Sequence, residues 1–263
     1  MPEATLLTPD LPAPPATSAA PSGRCATPDD VDVDAYLGRE RERERADRVS
    51  RLLDACGVPE RDAEADLLAG PPPALADGHL EAWDRLRGLL LRLARGDATG
   101  VIVLAGPRGG GKTHLACAAV LAACRAGLSA EYRSLPAVLL EIKATFGQPA
   151  ARPGDSEAGI LKALARPELL VLDEAHERAG GEWDGRLVRQ LVDARYAAVK
   201  TTLLLTNQEP EVFFNGVGDS VRDRCHDDQG GVVVAGWPSL RGASAQRNAP
   251  LTTHRCDLQS GHA

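Results

Sequence analysis

The chain has 263 residues, 43% of them hydrophobic, and a formal net charge of −7, which excludes a chain that is disordered throughout. No apolar run reaches the roughly 18 residues that a membrane span needs, and the N-terminus has neither a basic nor an apolar leader pattern. We therefore expect a cytoplasmic protein without a membrane partner. Because the net charge is negative, any contact with DNA must come from a local basic surface.

The first 70 residues predict a tail followed by a small helical region. Residues 1–30 are rich in Pro, Ala, Ser and Thr without periodicity, which predicts a disordered tail. Residues 31–70 are predicted to form a helical region that binds a partner, since four apolar side chains between Val49 and Cys56 follow helical spacing and need a covering surface. Arginine and glutamate alternate over residues 39–45, which favours a solvated helix face over a nucleic-acid contact.

Residues 71–241 predict one α/β domain. A helix over 80–96 precedes an alternation of strands and helices. The predicted strands are 101–105, 130–133, 169–172, 202–205 and 232–234, and the predicted helices between them are 113–126, 137–146, 160–164 and 187–198. This alternation is typical of a mostly parallel sheet with helices on both faces and ligands at the carboxyl ends of its strands. Residues 242–263 are predicted to be a flexible tail.

The most specific motif lies directly after the first predicted strand. It is a complete G-x-x-x-x-G-K-[ST] sequence, made of Gly106, Pro107, Arg108, Gly109, Gly110, Gly111, Lys112 and Thr113. In such a P-loop the backbone N–H groups hold phosphate oxygens, the lysine contacts the β- and γ-phosphates and the hydroxyl binds Mg²⁺. The sequence therefore predicts ATP and Mg²⁺ as ligands, with Thr113 as one metal ligand.

Two later strands end in polar side chains suited to hydrolysis. Asp173 and Glu174 follow the third strand, where Asp173 would hold Mg²⁺ and Glu174 would polarise a water, although such a pair also serves as a helix cap. Asn207 follows the fourth strand and would orient the attacking water, or form an Asx turn. The residues after Glu174 are too few for the second lobe of a DEAH helicase, and residues 207–210 lack the guanine-reading motif of a GTPase.

Arginines and cysteines complete the candidate residues. Arg224, with Arg222 in reserve, precedes the last strand and would act on the site of a neighbouring subunit, or form a surface salt bridge. The six cysteines include no CxxC pair, so reduced thiols are expected. A site combining residues 225–226 with 254–256 matches no common zinc pattern.

The order of P-loop, Asp173-Glu174, Asn207 and Arg224 resembles the AAA+ ATPases of the initiator and loader branch. Over about residues 48–241 the sequence is similar to the DnaC/IstB group, most specifically in the segments KTHLA (residues 112–116) and DARY (193–196). The resemblance implies a five-stranded parallel sheet in the order 5-1-4-3-2. It adds His114 and Arg241 to the nucleotide site, and self-assembly through AAA+ interfaces.

The resemblance also implies single-stranded DNA contact near residues 136–164. Candidates there and nearby are Tyr132 and Phe146 for base stacking. Four basic residues would contact phosphates or form a solvated face: Arg125, Arg133, Lys143 and Lys162.

The expected function is that of a bacterial or phage-encoded helicase loader. It would bind a hexameric replicative helicase through its N-terminal part, contact single-stranded DNA and use ATP hydrolysis as the switch. The alternative within the group is a transposition helper ATPase that binds duplex DNA and recruits a transposase. A protein that binds ATP structurally, with little turnover, is a third class.

Overall fold

The computed structural model describes residues 33–147, 154–177, 182–227 and 230–241. The predicted tails at 1–30 and 242–263 lie outside the described residues, as do Cys25, His254 and Cys256. The chain divides into two compact units, residues 1–43 and 44–263. Helix α1, Val33–Ala55, begins in the first unit and ends in the second. Its arginine- and glutamate-rich residues 41–45 are exposed.

Five parallel strands form the sheet of the second unit. They are β1 (Val101–Ala105), β2 (Ala130–Ser134), β3 (Leu169–Asp173), β4 (Thr201–Thr206) and β5 (Gly231–Val234). Their order is β2-β3-β4-β1-β5, so the predicted order 5-1-4-3-2 is confirmed. Strands β1 and β4 pair in register, with Val101 opposite Thr202 and Leu104 opposite Leu205. Strands β1, β3 and β4 are buried along their whole length, because helices cover both faces of a parallel sheet.

Seven further α-helices belong to the described part of the second unit. They are α2 (Leu80–Arg95), α3 (Lys112–Arg125), α4 (Leu135–Ala144), α5 (Glu157–Leu164), α6 (Glu182–Ala197), α7 (Pro210–Val217) and α8 (Asp219–Cys225). Helices α7 and α8 were not predicted from the sequence. Pro210 reads as a helix breaker, but it occupies the first turn of α7, where proline needs no donor. Gly218, at φ +99°, separates the two helices.

Alternate residues of each strand face two separate apolar clusters. Ile102 and Leu104 belong to a cluster with α2 and α3, whereas Val101 and Val103 belong to a second cluster with the helices from α4 to α8. The end of α1 joins the first cluster through Leu52, Leu53 and Cys56. Three of the four residues of the predicted apolar stripe are therefore covered by the same chain, so a partner would have to bind elsewhere on α1.

A buried arginine forms hydrogen bonds at the end of the sheet where β3 and β4 begin. The Arg195 guanidinium, 0% exposed, donates to the carbonyl oxygens of Leu164 and Pro167, each at 2.9 Å, and to Thr202 Oγ1 at 2.9 Å. It also donates to the Thr201 carbonyl at 2.5 Å. Burial lowers its pKa to about 10, so the group stays cationic at neutral pH. Arg195, part of the DARY segment, is thus a structural residue far from the P-loop end of the sheet.

The described residues contain free cysteines, but neither a cluster of metal ligands nor a membrane-spanning helix. The described cysteines, at positions 56, 117, 124 and 225, are free and buried, and burial raises the pKa of Cys117 and of Cys225 to about 12. Within the described residues no group of three or more His, Cys, Asp or Glu side chains is arranged to hold a metal ion. No helix in the described ranges is both long and apolar enough to cross a membrane.

Candidate active site

The P-loop connects the end of β1 to the start of α3 and forms the wall of a cavity of about 890 Å³. Its backbone depends on glycine. Gly109 and Gly111 have φ of +83° and +81°, and a Cβ on Gly109 would lie 2.1 Å from Ser239 Oγ. The N–H groups at the start of α3 have no partner within the helix and carry its positive dipole end. The loop therefore offers an anion site at the carboxyl end of the sheet.

Lys112 is buried at the base of this cavity. Its ammonium donates to the carbonyl oxygens of Gly106 and Pro107, at 2.8 and 2.9 Å, and to Asn207 Oδ1 at 2.7 Å. Burial is the main cause that lowers the pKa of Lys112, and the nearby Asp173 carboxylate opposes that shift. All three ammonium protons are directed at acceptors that a phosphate oxygen can replace.

A carboxylate stands opposite the P-loop hydroxyl. Thr113 Oγ1 donates to Asp173 Oδ2 at 2.7 Å, and the Tyr132 hydroxyl donates to the same oxygen at 2.9 Å. The other carboxylate oxygen, Oδ1, accepts the N–H of Glu174 at 2.7 Å. Both oxygens of Asp173 are thus fixed in direction, and a hydroxyl and a carboxylate face one point of the cavity.

Glu174 lies at the mouth of the cavity in a strained backbone conformation. Its φ is +55°, a region that costs a residue with a Cβ roughly 1–2 kcal/mol. The side chain is exposed, and Ser134 Oγ lies 3.4 Å from Glu174 Oε2. Strain of this kind is concentrated at functional sites; here it turns the carboxylate that follows Asp173 toward the cavity.

Asn207, at the end of β4, connects the P-loop lysine to a half-buried histidine. Besides accepting from Lys112, Asn207 has its backbone N 3.3 Å from His176 Nδ1, and its Nδ2 3.3 Å from His176 Nε2. Burial is the main cause that lowers the pKa of His176, so its ring is neutral at pH 7. Arg108 of the P-loop forms an ion pair of 2.8 Å with the neighbouring Glu177.

The segment after β5 closes over the P-loop. Trp237 Nε1 donates to the Gly110 carbonyl at 2.8 Å, and the Leu240 N–H donates to the Gly109 carbonyl at 2.9 Å. The indole of Trp237 is 1% exposed and packs against Trp83 of α2 with ring centroids 5.7 Å apart. Arg241 follows on the cavity wall, where its positive charge lowers the pKa of Lys112 further, after burial.

The linker between α1 and α2 supplies another part of the wall. Asp62 is 7% exposed, and its two carboxylate oxygens contact His114 Nδ1 and Arg61 Nε, each at 3.0 Å. Arg61, Asp62 and His114 all line the cavity. The positions of Asp62 and His176 and the contact of Tyr132 with Asp173 were not predicted from the sequence, because each depends on a distant part of the chain.

The two candidate arginines of α8 lie away from this cavity. Arg224 Nη1 is 2.9 Å from Asp193 Oδ1, and its guanidinium lies over the Tyr196 ring at 5.1 Å. Arg222 contacts Glu211 at 3.0 Å. Neither arginine lines the P-loop cavity of its own chain. Within this chain both arginines form salt bridges, and a function in another subunit stays a prediction.

The predicted DNA contacts have different environments. Tyr132 is 8% exposed and its hydroxyl is bound to Asp173, so it cannot stack on a base and that prediction is wrong. Phe146 is 53% exposed and makes an edge-on contact with Trp183, with centroids 5.3 Å apart. Lys143 lies 5.1 Å from the Trp183 ring. Arg133 is paired with Glu131 and Glu141, whereas Arg125 and Lys162 are exposed.

The residues of the cavity fit a nucleoside triphosphate with Mg²⁺. The glycines of the loop have no Cβ, so phosphates can approach its backbone closely, and Lys112 provides a cation. Thr113 and Asp173 offer a hydroxyl and a carboxylate oxygen, the hard ligands that Mg²⁺ takes together with phosphate oxygens and water. Glu174 and Asn207 also line the cavity, so it brings together the predicted site residues apart from Gly106, Pro107 and Arg224. Gly106 and Pro107 contact Lys112 through their carbonyl oxygens.

Comparison with known proteins gives a family model and several curated relatives. The model described as IstB-like ATP binding protein matches residues 89–221. The replicative helicase loader DnaC of Escherichia coli K12 is 29% identical over 139 residues, 53% of this chain and 55% of DnaC. The insertion sequence IS1162 putative ATP-binding protein of Pseudomonas fluorescens is 33% identical over 144 residues, 51% of this chain and 59% of that protein. The chain thus spans somewhat more than half the length of these relatives.

Solved structures share the fold at low sequence identity. The crystal structure of the DnaC helicase loader gives a TM-score of 0.53 at 18% identity, covering 67% of this chain and 99% of that one. The replication initiator DnaA bound to AMPPCP and single-stranded DNA gives 0.52 at 20% identity, covering 67% of this chain and 50% of that one. These matches confirm the predicted α/β P-loop fold of AAA+ type.

Proposed function

Because the chain belongs to the family of IstB-like ATP binding proteins, we propose that it is a Mg²⁺-dependent ATPase that loads a hexameric replicative helicase onto single-stranded DNA. One observation carries the ATPase part. Lys112, Thr113, Asp173, Glu174 and Asn207 come from three different strand ends and converge on one cavity. The relatives named as DnaC helicase loaders support the loading part.

In this proposal the P-loop binds the triphosphate and holds its charge. The backbone N–H groups of residues 106–111 bind phosphate oxygens, and Lys112 exchanges its carbonyl partners for the β- and γ-phosphates. Thr113 and Asp173 would hold Mg²⁺, which would supply positive charge to offset that of the triphosphate. Most of the catalytic effect is positioning and electrostatic stabilisation.

The attacking water is handled by two side chains. Glu174 orients it and accepts its proton at a carboxylate oxygen. Asn207 fixes its direction through its amide, which His176 and Lys112 hold from two sides. Because Glu174 is exposed at the mouth of the cavity, a neighbouring subunit can complete the site.

Arg224 is the proposed contribution of that neighbour. It stands outside the cavity of its own chain, half-buried between Asp193 and Tyr196. An arginine delivered in trans stabilises the charge of the transition state and makes hydrolysis depend on assembly. ATP turnover is therefore expected to rise with protein concentration. Arg241 would contact the nucleotide from the same chain.

The proposed DNA surface lies on the side of α4 and α6. Phe146 and Trp183 provide aromatic rings for stacking on bases. Lys143 beside them is ion-paired with Asp184 at 3.3 Å, so it would share its charge between that carboxylate and a phosphate. Most of the other exposed face of α4 carries acidic or apolar side chains, such as Glu141 and Leu140, so binding would rest on few contacts and be sensitive to salt.

The loader function is tested by mixing the full chain with the hexameric replicative helicase of its source and measuring complexes by native mass spectrometry, with and without ATP. A complex of defined stoichiometry is the expected result. Loss of that complex on alanine replacement of exposed α1 residues such as Tyr36 and Leu37, 53% and 43% exposed, would place the docking surface there. No complex under either condition would contradict the loader function.

A transposition helper is the second candidate, and specific observations favour it. The matching family model carries the description IstB-like ATP binding protein. The insertion-sequence ATP-binding protein is 33% identical to this chain, compared with 29% for the DnaC loader. This candidate predicts ATP-dependent filaments on duplex DNA, visible by electron microscopy, and no complex with a helicase. The ATP site is the same in both candidates.

A further inference from the structure

A tyrosine outside the P-loop takes part in holding the proposed metal carboxylate. Strands β2 and β3 pair in parallel with Tyr132 opposite Val171 and Ser134 opposite Asp173, so the tyrosine ring extends along the sheet to the Asp173 side chain. The Tyr132 hydroxyl donates to Asp173 Oδ2 at 2.9 Å, and Thr113 donates to the same oxygen at 2.7 Å. Tyr132 is 8% exposed and lines the cavity.

The chain segment that follows α1 fixes the place of this tyrosine. β2 is an edge strand, and its open side is met by the Cys56 carbonyl, which accepts the Tyr132 N–H at 2.8 Å. Gly57 has φ +70°, and a Cβ on it would lie 2.6 Å from the Tyr132 carbonyl oxygen. Only glycine allows this close approach without displacing the strand.

We propose that Tyr132 is a positioning residue for Asp173, and that residues 56–57 hold Tyr132 in the place this requires. The proposal rests on the proposed function, because it assigns Mg²⁺ to the Thr113–Asp173 pair. Without the Tyr132 hydroxyl, Oδ2 of Asp173 would keep only the Thr113 hydroxyl as a donor. The second donor fixes Oδ2, while the Glu174 N–H fixes Oδ1. Groups that orient a metal ligand from outside typically change metal affinity 10–100-fold when removed.

The test compares nucleotide affinity with and without the metal. The dissociation constant of a fluorescent ATP analogue is measured in saturating Mg²⁺ and in excess EDTA, for the unmodified chain, Tyr132→Phe and Tyr196→Phe. The dissociation constant in EDTA divided by the constant in Mg²⁺ is the ratio that reports how strongly metal and nucleotide binding are coupled. Tyr196→Phe is the matched control, because the same oxygen is removed from a hydroxyl that donates to a different carboxylate, Asp227.

Tyr132→Phe is expected to lower this ratio about tenfold while its dissociation constant in EDTA stays unchanged. Tyr196→Phe is expected to keep the ratio of the unmodified chain. A ratio that is unchanged in Tyr132→Phe, or a parallel weakening in Mg²⁺ and in EDTA, would overturn the assignment of Tyr132 alone. Failure of the unmodified chain to bind the analogue, or to bind it more tightly in Mg²⁺, would overturn the proposed function first.

Gly57→Ala tests the second half of the proposal with the hydroxyl still present. Its Cβ would push against the Tyr132 carbonyl, so the ratio is expected to fall in the same direction as for Tyr132→Phe. A normal ratio in this variant would show that residues 56–57 do not set the position of Tyr132. The result for Tyr132→Phe stands separately.

Discussion

Replacing Lys112 by methionine is expected to abolish nucleotide binding with little effect on folding stability. Methionine is as long as the lysine stem, so the packing at the base of the cavity is kept. The change removes three N–H···O bonds, each worth about 1.5–3 kcal/mol for a charged donor. It also removes the cost of burying an ammonium ion, which is several kcal/mol and is the main cause that lowers the pKa of Lys112. The two effects nearly cancel, and we expect a net change within about 2 kcal/mol.

Lys112→Met is expected to change the ATP-induced rise in Tm far more than it changes the Tm of the ligand-free protein. Nucleotide at 100 times its dissociation constant stabilises a protein by about 2.7 kcal/mol, which raises the Tm of a domain of this size by about 5–10 °C. Lys112→Met is expected to reduce that rise to below about 1 °C at the same ATP and Mg²⁺ concentrations. Differential scanning fluorimetry measures this directly, since Trp83 and Trp237 lie beside the P-loop.

The matched control is Lys200→Met, which makes the same chemical change just before β4, where the ammonium donates to the Arg166 carbonyl. This variant is expected to keep the full ATP-induced rise in Tm. A normal rise in Lys112→Met would refute the assignment of the nucleotide site. A large loss of Tm without ligand would refute the estimate that the buried hydrogen bonds and the burial cost nearly cancel.

Three further outcomes follow from the structure. Arg195→Ala leaves the acceptors of a fully buried guanidinium unpaired, so we expect a loss of about 3–5 kcal/mol by urea denaturation, against less than about 0.5 kcal/mol for the exposed Arg125→Ala. The pKa of His176 is lowered by burial, so on acidification the unfolded chain takes up a proton more readily than the folded chain does. The folded state is therefore destabilised through this histidine as the pH falls below about 6.5, and not above it. The fall in Tm between neutral and acidic pH should be smaller in His176→Gln than in the unmodified chain. Arg224→Ala and Glu174→Gln are each expected to hydrolyse ATP poorly, whereas a mixture should recover turnover, because one mixed interface pairs an intact Glu174 with an intact Arg224; no recovery would contradict an arginine acting in trans.

Sequence patterns were sufficient for the sheet and for the outline of the site. Apolar runs such as 101–105 and 169–172 are long enough for strands and too short for helices, and glycine-rich punctuation marks the P-loop between a strand and a helix. Because the strands are parallel, their carboxyl ends meet at one edge. The convergence of Lys112, Asp173 and Asn207 therefore follows from the order of the elements.

The parts that could not be predicted depend on distant contacts. Tyr132 and Asp173 are 41 positions apart, and only the register of β2 against β3 turns a tyrosine of an edge strand into a partner of that carboxylate. The same holds for Asp62, whose contact with His114 joins the linker to α3. Neither side chain has periodicity or a motif that indicates its environment, and the φ of Glu174 is imposed by the turn after β3.

Hydrolysis at this cavity is tested by measuring steady-state phosphate release from ATP and Mg²⁺ by the full chain and by Glu174→Gln, with nucleotide binding measured on the same samples. We predict turnover by the unmodified chain, at least about 100-fold slower turnover by Glu174→Gln, and undiminished ATP binding by that variant. Equal rates for the two proteins, with tight binding in both, would contradict hydrolysis at this site and favour a protein that binds ATP only as a structural ligand.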